Sequence, residues 1–76
     1  MFQIGQIFKR DGYELCVLDI VNYNNKYYIF TSVEKEKIEF MFYEVEKHDL
    51  TYALKKVSDD ILEAQLFSIV DNNIKS

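Results

Sequence analysis

Residues Tyr13–Phe30 read YELCVLDIVNYNNKYYIF, two stretches rich in aromatic and aliphatic residues that meet at Asn24-Asn25. Aromatic and β-branched side chains suit a pleated, half-buried surface, and Asn tolerates the left-handed backbone region better than any residue except Gly. The segment therefore predicts a hairpin with strands at about Tyr13 to Tyr23 and Lys26 to Val33. Upstream, Asp11-Gly12 separates it from MFQIGQIFKR. Asp-Gly between apolar flanks is among the strongest short hairpin signals, because both residues accept positive φ. This predicts a first strand at about Phe2 to Arg10.

Downstream, the alternating charges of Glu34-Lys35-Glu36-Lys37 mark a loop. A fourth strand, about Ile38 to Val45, sets Ile38, Phe40 and Phe42 on one face and Met41, Tyr43 and Val45 on the other. Glu46-Lys47-His48-Asp49 then turns the chain into a weaker fifth strand, about Leu50 to Val57. After Val57 the periodicity becomes helical. Ser58-Asp59-Asp60 offers N-cap residues, Asp60 and Glu63 fit a capping box, and Ile61, Leu62, Leu66, Ile69 and Val70 form an apolar stripe, with Phe67 at its edge. A helix over about Asp59 to Asn72 follows. The expected architecture is one α+β domain spanning all 76 residues: a five-stranded antiparallel meander with a C-terminal helix.

Bulk properties narrow the range of function. The chain is 49% hydrophobic and 16% aromatic, well outside the composition of disordered segments. A domain of this size buries only about 60% of its unfolded surface. Disulfides and structural zinc are the common aids at this length, and one Cys with one His permits neither. Self-association or a partner is the remaining route to further burial. A net charge of −4 disfavours general attraction to phosphate backbones. The longest apolar run, Leu15 to Leu18, is far short of the ~20 residues of a membrane helix, and the N-terminus shows no secretory pattern, so the expected compartment is the cytoplasm.

The aromatic content poses a problem of coverage. By strict alternation Leu15, Val17 and Val21 project to one face of the second strand and Cys16, Leu18 and Ile20 to the other, so neither face is polar. The third strand repeats this, with Tyr27 and Ile29 opposed to Tyr28 and Phe30. One helix covers one face of a sheet. Three solutions remain open: curling toward a small barrel through a bulge, for which Gly5 is a candidate marker; pairing with a second copy; or an aromatic face offered to another protein. On the last reading Tyr23, Tyr27, Tyr28, Phe30 and Tyr43 are the expected protein-binding residues, since tyrosine buries large area while its hydroxyl tolerates water.

Catalytic chemistry finds little foothold. Cys16 sits among aliphatic neighbours with no activating base in view, and His48 lies in a charged turn beside Asp49. Asp59, Asp60 and Glu63 lack the ligand count of a dedicated cation site and are explained as helix-capping groups. Phosphate loops, nucleophile elbows and metalloprotease motifs are absent from the sequence. No catalytic residue, metal ligand or cofactor is expected. Stacking of single-stranded nucleic acid on Tyr27, Tyr28 and Phe30, aided by Lys9, Arg10, Lys26, Lys55 and Lys56, is opposed by the interleaved acidic residues.

The segment YELCVLDIVNYNNKYYIF, followed by IEFMFYEVE and a terminal helix, resembles small uncharacterised proteins of low-GC bacteria and their phages. Enrichment in Phe, Tyr, Ile, Asn and Lys over Gly, Ala, Arg and Pro matches the codon usage of such AT-rich genomes. The resemblance implies a meander closed by a helix and transfers no site residue. IGQIFKRDGYELCVLDI also looks like the first hairpin of SH3-like barrels, a likeness of fold alone. The function expected from these readings is a non-catalytic protein-binding module. Its concrete form is a phage or mobile-element inhibitor of a host defence protein such as a CRISPR nuclease. The alternatives are a housekeeping homodimer and a single-strand nucleic-acid binder.

Overall fold

The computed structural model describes residues 2–75 and contains β1 (Ile7–Arg10), β2 (Tyr13–Tyr23), β3 (Lys26–Glu34), β4 (Ile38–His48), β5 (Thr51–Lys56) and α1 (Asp60–Lys75). The strands pair antiparallel in chain order, a meander curled into a half-barrel with a single C-terminal helix. The first two turns form as their residues require. Asp11 and Gly12 have φ of 52° and 82°, and Asn24 and Asn25 have 51° and 61°. Two successive positive φ values give a turn whose twist matches that of the flanking strands.

Several boundaries differ from expectation, and α1 runs to Lys75 where an end at about Asn72 was expected. Glu46, Lys47 and His48 continue β4 instead of turning the chain, because they pair with Ala53, Tyr52 and Thr51 in a ribbon that outruns β3. The turn falls at Asp49-Leu50. Residues Phe2–Gln6 leave the expected first strand. Gly5, at φ 90°, donates its N–H to the Val17 carbonyl at 2.7 Å, and Gln6 closes a turn onto the Gln3 carbonyl at 3.0 Å. The turn carries Phe2 onto the concave side of the sheet, 5.4 Å from the Phe8 ring and 6.3 Å from Tyr52 on β5. There Arg10 donates from Nη2 to the Leu54 carbonyl at 3.0 Å and lies 5.4 Å from the centre of the Tyr43 ring. Side chains, not a hydrogen-bonded ladder, thus bridge β1 to β5.

The bulge lies elsewhere than Gly5. Val17 pairs with Thr31 and Asp19 with Phe30, so Leu18 is an extra residue on β2. Such an insertion shifts every later side chain to the opposite face. Leu15 and Val17 face the concave core with Ile29, Val33 and Tyr43, and after the bulge Ile20 packs there too. Val21, expected beside Leu15 and Val17, instead faces α1 with Tyr28, Phe30, Phe42, Val57, Leu66 and Val70. The sheet therefore has a core on each side. Thr31, fully buried, donates its hydroxyl to the Met41 carbonyl at 3.0 Å.

Asp59 is the N-cap of α1, its Oδ1 accepting from the N–H groups of Ile61 (2.9 Å) and Leu62 (3.2 Å). With the cap one residue earlier than the Asp60–Glu63 box requires, that box does not form; both acids remain in the first turn, where the helix dipole favours them. Leu62, Leu66, Ile69 and Val70 meet the sheet, whereas Ile61 is exposed because it lies about 100° around the helix from Leu62. At the far end Asn73 Nδ2 donates to Asp19 Oδ2 at 3.1 Å. The helix thus starts beside β5 and β4 and finishes over β2.

Deleting Leu18 removes the bulge while Val17 stays opposite Thr31 and Asp19 opposite Phe30, so Val21 and Tyr23 keep facing α1 and what is lost is the local twist and bend of β2. The expected outcome is a cooperative urea transition at a lowered midpoint, because the sheet curls less, whereas Leu18→Ala, which keeps the bulge, costs about 0.5–1 kcal/mol; a deletion variant with an unchanged midpoint contradicts the role of the bulge. Leu66→Ala, at the centre of the helix-side core, costs about 2–5 kcal/mol by the same measurement.

Candidate functional site

On the helix side of the sheet, cross-strand register sets side chains in rows. Ile7 pairs with Cys16, Cys16 with Ser32 and Ser32 with Phe40, so these four form one row across β1 to β4. Beside it lies the row Lys9, Glu14, Glu34, Ile38. Each of these residues alternates with a neighbour in the concave core, which fixes its direction. The helix does not reach them. Ile7, Ile38 and Phe40 are each more than 60% exposed, and Phe67 on the flank of α1 is 55% exposed.

Phe30 ties this bare surface to the core. Buried beneath α1, its ring lies 4.6 Å from Phe42, 5.8 Å from Phe40 in a stacked arrangement, and 6.1 Å from Phe67 edge to face. Aromatic pairs at such separations add about 0.5–1.5 kcal/mol each beyond area burial. Phe40 and Phe67 are therefore held in place while most of their surface meets solvent. Between the large residues at its ends the first row dips at Cys16 and Ser32. Those two, with Glu14, Glu34 and Ile38, line a shallow cleft of about 200 Å³. The result is a shallow trough of mixed polar and apolar lining, between Ile7 at one end of the row and Phe40 at the other.

Its outer rim carries an electrostatic oddity. Glu14 and Glu34 are direct cross-strand partners, and neither makes an ion pair with any described residue. Like charges placed opposite one another destabilise a sheet, by an amount on the order of the 0.2–1 kcal/mol that favourable pairs contribute. Lys35 does not relieve them: it is engaged by Glu39 at 3.7 Å and lies 4.8 Å from the Tyr13 ring centre.

The five residues expected to bind a partner occupy a different place. Tyr28, Phe30 and Tyr43 are buried, Tyr28 to 2% exposure, while Tyr23 and Tyr27 are half-buried. The Tyr23 hydroxyl donates to Gln65 Oε1 on α1 at 2.8 Å. The premise that a helix and one layer cannot shield these rings is corrected: curling encloses Tyr43 and Tyr27 on the concave side, and α1 covers Tyr28 and Phe30 on the other. Phe67, expected at the edge of the helical stripe, is exposed, whereas the exposure of Phe40, Ile38 and Ile7 was not expected from the sequence. Their alternation was visible, but how far a helix extends over a sheet is not.

Other candidate chemistry is likewise dispersed. Cys16, half-buried, has its Sγ 3.9 Å from the Val17 carbonyl. His48, 3.4 Å from Glu46, lies eight residues beyond Phe40 along β4, roughly 25 Å at the rise of a strand. These two side chains do not form a catalytic pair. Burial of Tyr28 and Phe30 removes the platform expected for nucleobase stacking, and Lys26 is paired with Glu44 at 3.5 Å. Among the described residues no group of three His, Cys, Asp or Glu side chains is placed to hold a metal ion. Among the described residues no helix is long and apolar enough to cross a membrane. Comparison with protein-family models, curated proteins and solved structures returns no match.

Burial pushes the phenols of Tyr27 and Tyr28 above their ordinary value of 10.0; Tyr52 adds to the effect for Tyr27, and Glu44 adds to it for Tyr28, against an opposing effect of Lys26. A raised native pKa means that the folded chain holds these protons more tightly than the unfolded chain. Their contribution to stability is complete below about pH 10 and falls as pH rises through the folded values. Urea midpoints measured from pH 8 to 11 should therefore decline on the alkaline side, and Tyr28→Phe should make the decline shallower. Tyr28→Ser, by contrast, should cost about 3–5 kcal/mol at neutral pH, the penalty of a core aromatic.

Proposed function

We propose that this chain is a non-catalytic protein-binding module whose docking surface is the part of the helix-side sheet face that α1 leaves bare. The observation that carries the reading is the clustering of Ile7, Ile38, Phe40 and Phe67, all largely exposed, around the small residues Cys16 and Ser32. Scattered exposed apolar residues are ordinary on a protein surface, but a contiguous patch with a charged rim marks an interaction site. Aromatic anchors held by a buried neighbour lose little side-chain freedom on binding, which favours affinity. Phe40 and Phe67, gripped by Phe30, meet that description. Inhibition of a host defence protein is the narrower form of this function, and it draws on the small size and net charge of −4.

The test is affinity capture on the immobilised chain from the cell that encodes it, comparing wild type with Phe40→Ser/Phe67→Ser. Because both rings are mostly exposed, the double variant should keep its circular-dichroism spectrum and unfold cooperatively. It should lose whatever macromolecule the wild type retains, and unchanged retention by the folded variant would refute the assignment of the surface.

A further inference from the structure

We infer that the occupant of this trough is a cationic amphipathic α-helix of a partner protein, lying alongside α1; the inference rests on the docking function proposed above. Geometry selects the helical form. Along β4, Phe42 lies under α1, while Phe40 and Ile38 stand about 7 and 13 Å further along the strand. Helices packed side by side on a sheet have axes about 8–10 Å apart, so a second helix laid against α1 has its axis close to Phe40. The row from Ile7 to Phe40 crosses three inter-strand gaps, about 14 Å, which is roughly nine residues of helix. The dip at Cys16 and Ser32 receives its large apolar side chains, and Phe67 contacts its near flank.

Charge selects the sign of the partner. Glu14 and Glu34 line the outer rim without ion-pair partners among the described residues, and Glu63 lies one helical turn before Phe67 on the same flank of α1, also unpaired. The nearby cations are Lys9, the direct cross-strand partner of Glu14 on β1, Lys35, which is held by Glu39, and Lys37 in the loop; Glu34 has Glu14 and Ile38 as its cross-strand partners. Lys9 offsets the charge of Glu14 from the far side, and a Lys or Arg placed over Glu14 and Glu34 adds the compensation that Glu34 lacks. The same rim disfavours a second copy of this chain: a two-fold contact centred on the trough brings Glu14 and Glu34 of both copies toward one another, on subunits that each carry a net charge of −4.

The experiment uses the whole chain, ¹⁵N-labelled, and a synthetic amphipathic peptide of Leu and Lys about four turns long, with its Leu/Glu counterpart as control. The Leu/Lys peptide should shift the amides of Ile7, Cys16, Ser32 and Phe40, bind more weakly as salt is raised, and bind much more weakly to Phe40→Ser or Ile7→Ser. Glu14→Gln/Glu34→Gln should raise the melting temperature of the free protein yet weaken the peptide about fivefold, a combination that a structural role does not produce. Equal binding of the Leu/Glu peptide, or indifference to the glutamate variant while Phe40→Ser still matters, overturns the cationic helix and leaves the docking surface intact. Indifference to Phe40→Ser and Ile7→Ser overturns both. A concentration-dependent dimer that Phe40→Ser dissolves makes a second copy the occupant and also overturns the inference.

Discussion

One inserted residue governs the arrangement of this domain. Leu18 has no partner on β3, and from that point β2 presents the opposite face at each position. Were Leu18 paired and β2 strictly alternating, Leu15, Val17 and Val21 would share one face, and Tyr23 would point away from the helix that its hydroxyl now contacts. With the insertion, a sheet of five strands serves two cores: a concave one plugged by Phe2 and Phe8, and a second one under α1. A flat sheet of this composition has no means of enclosing so many rings. The bulge strengthens local twist and bends the strand, and bridging of β1 to β5 by Arg10 and Phe2 holds the resulting curl.

Unequal coverage follows from the same geometry. A helix of 16 residues running from β5 toward β2 shields the rows that contain Phe30, Phe42, Val21 and Tyr28 and stops short of those containing Ile7, Phe40 and Ile38. Phe30 stands at the boundary, touching Phe42 on the covered side and Phe40 and Phe67 on the open side. The anchors of the proposed interface are in this sense an extension of the core, positioned by the packing that stabilises the fold. Glu14 opposite Glu34 works against folding, and it borders the surface left free for another molecule.

What the amino-acid order determined by itself was local. Asp11-Gly12 and Asn24-Asn25 place turns because few other residues accept positive φ, a requirement contained within two residues. Alternation in β3 and β4 and the stripe of Leu62, Leu66, Ile69 and Val70 set strand against helix through period alone. Tertiary structure decided the rest. Nothing in the composition around Leu18 marks a bulge, because the bulge exists only in the pairing of β2 with β3, and every face assignment beyond it depends on that pairing. Charged residues Glu46 to His48 became strand because β5 pairs with them. The identity of the exposed aromatics was decided in the same way: Tyr28 and Phe40 read alike in sequence, and only the position of α1 over the sheet buries one and leaves the other in water.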